Sequence, residues 1–521
     1  MTNADSRAAG GRFRALYVMA HPDDEDAATL VWLARVVGVD VTVYSLTRGE
    51  LGDNAIGTEM AEALGALRMG EMDAAARAYG VARVWFGGCF DYGYSKRLEE
   101  AWVRWGRSRV VGELALALRA AQPDVVFSRF RGDARDGHAH HQAVGAALRD
   151  ALELAADASA LSEADGGPVL ARPHVFVHTE RDAPGALRLA LGGVRTADGR
   201  AVLDVAREGY VHHRSQVTER LLDPADDGVR AYAALHGTAN AGEAYTDFFS
   251  GLTPRAEVVP PVLPEVEAIH RDSFTAATYG SVPVRVAFRG VPRPAGWQTD
   301  AGIAAPPGDG ARLQVGSPRD VTVILGTGDC FPAALRALGH RVTTVEPDAF
   351  RADTLGSSAV VLGGVRCFRR AADRARLAAE LRAACERGAH VVLATQTPEF
   401  DPSVHAPVPG TFADPPPEVC EEDASVRLLE PDHPLVKHPN RLDAADFDGW
   451  AEQRGSKFWS SWEAAYVPLV AMADTAEPEQ RGAWLTTPVG AGRFTYCALA
   501  LHRQLPFGVG GAYRILANLV A

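Results

Sequence analysis

Residues 15–25 read ALYVMAHPDDE, an apolar run followed at once by a histidine, a proline and three acids. A short apolar run is typical of a buried parallel strand, and Pro22 stiffens the turn after it. His21 and the acids can supply one nitrogen ligand, one oxygen ligand and one spare carboxylate to a metal ion. The same pattern also fits a helix start, where acids favour the positive end of the helix dipole. A loop that opens a helix can serve both purposes.

Short apolar runs alternate with helical stretches from here to about residue 150. Strands are predicted at Ala15–Met19, Val41–Leu46, Ala82–Phe86 and Asp124–Ser128. Helices are predicted at Glu25–Val37, Thr58–Tyr79, Ser108–Ala121 and Gln142–Leu154. This pattern indicates an α/β domain, a Rossmann-like open parallel sheet with helices on both faces. In such a sheet ligands bind beyond the carboxyl ends of the strands.

The loops that follow these strands carry the polar clusters. They are Thr47–Glu50, Gly87–Asp91, Arg129–Asp133 and the GHAHH turn at residues 137–141. His138 and His141 are three residues apart at a helix start, so both can face one point. With His21 and Asp24 they complete a histidine, carboxylate and histidine set that leaves a position for water, as in catalytic zinc sites. A solvated, histidine-rich helix cap is the alternative interpretation.

Such a set would support hydrolysis. Water bound to zinc titrates near pH 7 instead of about 15.7, so hydroxide becomes available at neutral pH. Asp23, next to a ligand but not needed as one, can take the proton from that water. His138, when protonated, can stabilise the oxyanion of a tetrahedral intermediate and later protonate the leaving amine.

Residues 13–150 resemble the PIG-L/LmbE-like zinc-dependent deacetylases, which remove N-acetyl groups from glucosamine-type substrates. The matching residues occur in the family's order: Ala20–Glu25, Thr47–Glu50, Leu67–Glu71, Asp91, and His138-x-x-His141 with Ala143 and Gly145. The resemblance implies that His21, Asp24 and His141 are the metal ligands. It implies that Asp23 is the general base and His138 the oxyanion-stabilising acid. Arg68 and Asp91 match positions that contact the sugar in the family.

Two positions depart from the family pattern. The second motif usually has an acid between its histidines, whereas this chain has His140. Characterised sugar deacetylases often carry a tyrosine two residues before the first histidine, whereas this chain has Asp136. The first departure concerns the group that would orient His138, and the second concerns the substrate. The ligand positions and Asp23 match the family.

A second α/β pattern begins at Val321. Strands are predicted at Val321–Leu325, Arg341–Val345, Ala359–Leu362 and His390–Ala394, and helices at Pro332–Leu338, Ala371–Arg387 and Ala512–Val520. This half resembles the flavodoxin-type class I glutamine amidotransferases. Their chemistry needs a cysteine on a sharp turn after a strand, but Thr395–Pro398 contains none, and Cys367 lacks small flanking residues. We expect a non-catalytic domain that shapes the cleft, holds an oligomer or binds a small ligand.

The predicted organisation has four segments. They are a disordered tail at residues 1–11, the deacetylase-like domain at 12–250, a Pro-rich connector at 251–318 and the amidotransferase-like domain at 319–521. The clearest strand of the connector is Val282–Phe288. The sequence His213-Arg214-Ser215-Gln216 lies in helical-looking sequence. Two interpretations of it remain open, a set that reaches the cleft and the polar face of a surface helix.

Composition restricts the partners. The chain has 521 residues and a net charge of −13, which argues against nucleic acid and anionic membranes. With no hydrophobic leader and no run of about 18 apolar residues, we expect a cytoplasmic protein. Six scattered cysteines without a CxxC pair argue against a disulfide frame or a thiolate zinc site.

The leading hypothesis is a metal-dependent amidohydrolase that removes an N-acetyl or other N-acyl group from a small polar metabolite, such as an amino sugar or an amine. Zinc is the expected metal, although histidine and carboxylate ligands also serve other divalent transition metals. A homo-oligomer is compatible with the sequence. The alternative is a metal-binding scaffold or sensor whose amidotransferase-like domain mediates assembly or ligand binding. A third hypothesis is amidotransferase chemistry from an unrecognised cysteine, of which Cys367 is the first to test.

Overall fold

The computed structural model describes residues 11–57, 59–160, 168–216, 225–235, 247–256, 313–328, 330–356, 359–396 and 399–521. It divides the chain into two compact units, one of residues 1–53 and 60–284 and one of residues 54–59 and 285–521. The tail expected at residues 1–11, apart from Gly11, lies outside the described residues, as does most of the expected connector with its strand Val282–Phe288.

The first unit contains a seven-stranded sheet. In chain order the described strands of this unit, including two that lie outside the sheet, are β1 Gly11–Arg12, β2 Arg14–Met19, β3 Asp40–Ser45, β4 Arg83–Phe86, β5 Val125–Ser128, β6 His174–His178, β7 Leu187–Ala190, β8 Val229–Ala234 and β9 Arg255–Ala256. The order across the sheet is β4-β3-β2-β5-β6-β8-β7, and β1 pairs separately with β9. Strands β2 to β6 are parallel, whereas β8 runs antiparallel to both of its neighbours, β6 and β7. The predicted α/β fold is therefore confirmed.

Six helices accompany this sheet in the described residues. They are α1 Ala27–Val31, which continues as a π-helix over Trp32–Val37, then α2 Ala61–Tyr79, α3 Leu98–Trp105, α4 Arg107–Ala121, α5 Ala139–Ala156 and α6 Val202–Tyr210. The central strand β2 is buried from Ala15 to Met19, because strands flank it and helices pack on it. Its apolar run is what the sequence pattern detects.

The parallel strands bring the predicted loops to one edge. Strands β2, β3, β4 and β5 are aligned in register, so the loops after Met19, Ser45, Phe86 and Ser128 leave the sheet on the same side. Helix α1 starts after Asp26, whose carboxylate accepts a hydrogen bond from Thr29 N. The turn after β2 therefore spans residues 20–26.

One local prediction was wrong. The sequence around His213 looks helical, but α6 ends at Tyr210 and residues 211–216 form a turn. Backbone hydrogen bonds from His213 N to Tyr210 O and from Gln216 N to His213 O close this turn. It does not continue as a surface helix.

The second unit contains another seven-stranded sheet. The described strands are β10 Asp320–Ile324, β11 Arg341–Val345, β12 Val360–Gly363, β13 His390–Ala394, β14 Gly410–Thr411, β15 Glu418–Val419, β16 Val426–Leu428, β17 Gly455–Ser456, β18 Ser461–Trp462, β19 Val467–Pro468, β20 Val470–Met472, β21 Trp484–Val489 and β22 Gly492–Cys497. The sheet order is β11-β10-β12-β13-β22-β21-β19. Its first five strands are parallel, in the 2-1-3-4-5 order of a flavodoxin-type fold.

The helices of the second unit in the described residues are mostly short. They are α7 Phe331–Ala337, α8 Cys367–Arg370, α9 Arg374–Glu386, α10 Pro402–His405, α11 Pro434–Lys437, α12 Leu501–Gln504 and α13 Gly510–Val520. Throughout the described part of the chain, no helix has both the length and the apolar character that a membrane crossing requires.

Candidate active site

Three side chains meet at the end of β2. Asp24 Oδ2 lies 3.1 Å from His21 Nδ1, and Asp24 Oδ1 lies 3.3 Å from His141 Nε2. The two histidine nitrogens are 3.3 Å apart. Burial alone would raise the pKa of Asp24, but the two histidines hold it well below its usual range. The carboxylate is therefore ionised and faces two imidazole nitrogens.

These separations fit a tetrahedral metal. Zinc binds histidine nitrogen and carboxylate oxygen at about 2.0–2.2 Å, so neighbouring ligand atoms of a tetrahedral site are about 3.3 Å apart. Nδ1 of His141 lies 3.2 Å from the carbonyl of Asp136, which accepts its proton and leaves Nε2 as the lone-pair nitrogen. His21, Asp24 and His141 can thus hold a divalent transition metal, and their distances agree with the ligand set that the sequence predicts.

His140 fixes the opposite side of His21. The ring of His140 is fully buried and packs against Tyr92 and Trp105. Its Nδ1 lies 2.9 Å from His21 Nε2. When His21 offers Nδ1 to a metal, its proton is on Nε2, and that N–H donates to His140. The residue that replaces the family's acid therefore contacts a ligand of the candidate metal site.

Asp23 has a strained backbone. Its φ is 114°, a value that non-glycine residues rarely adopt. Tyr210 Oη donates to its carbonyl at 2.7 Å, and Arg68 binds its Oδ1 at 2.7 Å and the carbonyl of Pro22 at 2.6 Å. Burial raises the pKa of the Asp23 carboxyl to about 6, although Arg68 opposes the rise. These contacts hold a proton-accepting group beside Asp24.

His138 is neutral in the folded chain. Burial, reinforced by His21 and His141, holds the pKa of His138 well below its usual range. Its Nδ1 lies 3.1 Å from the carbonyl of Ser95 and 3.4 Å from the backbone N of His140. Because the carbonyl can only accept and is the closer partner, we assign the proton to Nδ1, which leaves Nε2 as the acceptor. The acid role predicted for His138 therefore requires that it gain a proton during the reaction.

Arg68 and Asp91, expected to contact substrate, lie behind the site. Both are buried. Arg68 reaches Asp23, whereas the Asp91 carboxylate lies 3.8 Å from His21 Nε2 and 3.7 Å from His140 Nδ1. Contact of either side chain with a substrate remains a prediction. Arg68 borders Asp23, and Asp91 borders His21 and His140.

A buried hydrogen-bond network centres on Glu25, in the turn after β2. Glu25 Oε1 accepts hydrogen bonds from Tyr79 Oη at 2.9 Å and from His213 Nε2 at 2.7 Å. Glu25 Oε2 accepts from Asp23 N at 3.2 Å. His213 thus contacts the candidate metal-binding turn of residues 20–26, whereas Arg214 is exposed. The sequence signals did not identify Tyr79 and Tyr210, because single tyrosines in apolar helices resemble core residues.

A cavity of about 1000 Å³ opens beside the candidate ligands. Asp23, Asp24 and His141 lie on its wall, together with Arg129 and Arg131 from the loop after β5. Asp136, which replaces the family's tyrosine, uses its carboxylate to accept from the backbone N–H groups of residues 131 and 132 at 2.7–3.2 Å. It therefore stabilises the loop.

Fold and site together define an α/β protein with a candidate metal-dependent site at the carboxyl ends of parallel strands. Residues 16–152 match the family described as PIG-L: GlcNAc-PI de-N-acetylase. The chain is 30% identical over 305 residues to the 1D-myo-inositol 2-acetamido-2-deoxy-alpha-D-glucopyranoside deacetylase of Kineococcus radiotolerans, a match that covers 46% of this chain and 83% of that protein. The enzyme of the same name from Rhodococcus jostii is 30% identical over 243 residues, covering 39% and 82%. The chain therefore belongs to the PIG-L family of de-N-acetylases.

Among solved structures, N,N'-diacetylchitobiose deacetylase from Pyrococcus horikoshii, complexed with its inhibitor, is similar at 18% identity and a TM-score of 0.33. That match covers 43% of this chain and 83% of the other.

Proposed function

We propose that the protein is a metal-dependent N-deacetylase, with zinc or another divalent transition metal, that acts on a small N-acetylated polar metabolite such as an amino sugar. The main support for this proposal is that His21 Nδ1, the Asp24 carboxylate oxygens and His141 Nε2 lie 3.1–3.3 Å from one another. The Asp23 carboxylate lies beside this group. The metal, when bound, would supply an activated water and polarise the amide carbonyl.

The chain's own residues supply the proton transfers. Asp23, held by Arg68 and Tyr210, accepts a proton from water at neutral pH, because its pKa of about 6 lies near the operating range. Neutral His138 takes up a proton from solvent on Nε2 and delivers it to the leaving amine, while the proton that Asp23 accepts from water returns to solvent. The strained φ of Asp23 keeps its carboxylate in place before substrate arrives, which is a form of preorganisation.

An amino-sugar substrate is supported by the family and by the two inositol-linked glucosamine deacetylases named above. The Asp136 carboxylate binds its own loop, and no tyrosine hydroxyl occupies that position. This difference argues against simply assigning the substrates of those relatives to this chain. The proposal therefore extends to other N-acetylated amines.

Asp23→Asn is the sharpest test, because the change removes the proton acceptor and keeps the size of the side chain. We expect kcat on an N-acetyl amino sugar or N-acyl amine to fall by about 10²–10⁴-fold, while bound metal measured by mass spectrometry is unchanged. The exposed Asp182→Asn serves as the matched control and should keep full activity. Undiminished turnover in Asp23→Asn would refute the mechanism.

The same panel, assayed with and without chelator, separates the enzyme from a metal-binding scaffold. Hydrolysis that disappears on chelation and returns with zinc supports the deacetylase. Failure of every N-acyl compound, with loss of folding on chelation, would favour the scaffold.

We further infer that the second unit is an amidotransferase-like domain without amidotransferase chemistry. Its five parallel strands follow the flavodoxin-type order, and Gln396 rather than cysteine follows β13. Gln396 is fully buried and binds the carbonyls of Gly364 and Ala394 through its Nε2. Cys367 is likewise fully buried, so a substrate cannot reach its sulfur without rearrangement.

A further inference from the structure

We propose that the substrate carries an anionic group and that Arg129 binds that group in the cavity beside His141. This inference rests on the proposed function, since the same cavity would receive the N-acyl amide. It adds a substrate class and a specificity-determining residue, and the motifs that identify the family do not include Arg129.

Arg129 differs from the other arginines of the cavity wall. Five of these pair with an aspartate or glutamate at 2.5–3.6 Å: Arg131, Arg135, Arg181, Arg207 and Arg230. Arg129 has no carboxylate partner among the residues that the structure describes. Its side chain makes one hydrogen bond, from Nε to the carbonyl of Asp24 at 3.0 Å. The two terminal nitrogens of the guanidinium are left for a ligand.

The nearby acids are already engaged. The Asp24 carboxylate faces the two histidine ligands. Asp26 binds Arg230 Nε at 2.6 Å with one oxygen and caps α1 through Thr29 N with the other. His178 on the same wall adds no negative charge, and burial, reinforced by Arg129, lowers its pKa to about 4. Asp26 and Asp24 attract the Arg129 guanidinium electrostatically, but neither lies within ion-pair distance of it, so an anionic ligand would be its first direct counter-ion.

The attachment of Arg129 places the anion site close to the candidate metal site. Because Nε is anchored to the carbonyl of Asp24, the guanidinium plane has a preferred position next to that metal ligand. A guanidinium offers parallel N–H groups that match the oxygens of a carboxylate or a phosphate. The substrate class is therefore an N-acylated amine that carries a carboxylate or phosphate within the reach of one small molecule.

Binding of deacetylated probes tests this without requiring turnover. Glucosamine, glucosamine 6-phosphate and muramic acid are titrated into the zinc-loaded full chain by calorimetry. We expect at least one anionic probe to bind about tenfold or more tightly than glucosamine, and the preferred probe distinguishes phosphate from carboxylate. Equal dissociation constants for all three probes would overturn the proposal.

Two variants locate the effect. In Arg129→Gln the affinity for the anionic probe should fall to that for glucosamine. Arg129→Lys should restore part of the difference between the two affinities. Arg181→Gln removes a cation from the same cavity wall, but one already neutralised by Asp227, and should leave the preference intact. A preference that persists in Arg129→Gln overturns the assignment to Arg129.

A bound metal ion could itself attract the anionic probe, so the preference must also be measured without metal. Chelated protein should still prefer the anionic probe by the same factor, whereas a preference that vanishes with the metal refutes the role of Arg129. Hydrolysis of the corresponding N-acetyl compounds is measured separately. If none is hydrolysed while the anion preference follows Arg129, the deacetylase proposal fails and the anion site stands.

Discussion

His140 shows how one substitution redirects a site at the scale of a single residue. The family places an acid between its two histidines, whereas the imidazole here is fully buried between two aromatic rings. Its Nδ1 faces His21, and its Nε2 has no hydrogen-bond partner in the described structure. Neutral His140 is thus suited to accept the His21 proton and so to orient a metal ligand.

His140→Phe should therefore weaken metal binding. The phenyl ring keeps the packing against Tyr92 and Trp105 but removes the acceptor for His21, so we expect zinc affinity to fall by about 10–100-fold. His140→Asn, which can present an oxygen near the place of Nδ1, should recover part of the loss. Competition with a fluorescent chelator measures both. Equal zinc affinity in wild type and His140→Phe would contradict this role.

The contacts that sequence could predict are those carried by local motifs. His21, Asp23 and Asp24 follow one buried strand, and His141 opens a helix after a parallel neighbour, so the shared edge brings them together. The contact of His140 with His21, and that of Arg129 with the Asp24 carbonyl, join residues about 100 or more positions apart in the sequence. No short pattern records such contacts, and Arg129 appears in the sequence only as one of several basic residues.

At the scale of elements, the turn after α6 supports the candidate metal-binding turn. Ser215 binds Glu71 of α2 through its backbone N–H at 2.8 Å and its hydroxyl at 2.6 Å. His213 reaches Glu25, and Tyr210 reaches Asp23. The sequence here looks helical, whereas the polar partners of this turn, Asp23, Glu25 and Glu71, belong to other elements.

His213→Phe should destabilise the first unit. Burial alone would lower the pKa of His213, but Glu25 raises it, and a 2.7 Å hydrogen bond joins the two side chains in the interior. Removing the histidine leaves a buried carboxylate oxygen without this partner, which costs about 1–3 kcal/mol. The exposed neighbour His212→Phe should change stability by less than about 0.5 kcal/mol. Urea denaturation with hydrogen exchange of peptides from β2 and α2 compares the two variants, and equal losses would contradict the network's importance.

The positions of the parallel strands were the most predictable element-scale feature, and the antiparallel strands were the least. Strands β2 to β5 lie within one residue of their predicted bounds because most of their residues are buried and form apolar runs. Strand β7 at the sheet edge has only one buried residue of four, so it leaves no apolar run. Helix α3 buries only Ala101 and Trp105 and is too short for its period to be read.

At the scale of the whole molecule, each unit holds a half-buried histidine that the fold keeps neutral. In the first unit burial, with Arg129 second, lowers the pKa of His178 to about 4. In the second unit burial, with Arg493 second, lowers the pKa of His390 to about 3. His390 lies at the start of β13, and its Nε2 bonds Thr495 Oγ1 of β22 at 2.9 Å. Acid should therefore weaken each unit through its own histidine.

The sign follows from proton binding. In the unfolded chain each histidine takes up a proton near pH 6.5, whereas in the folded chain it stays neutral until about pH 4 or 3. Stability is therefore complete above pH 6.5 and falls as the pH drops below it, by up to about 1.4 kcal/mol for each histidine between pH 7.5 and 5.5. His390→Gln retains a hydrogen-bonding side chain without titrating, and should flatten the pH dependence in the second unit alone. Urea denaturation at both pH values, followed by hydrogen exchange of β13 and β6 peptides, measures each unit separately; an unchanged pH dependence of β13 in His390→Gln would refute this account.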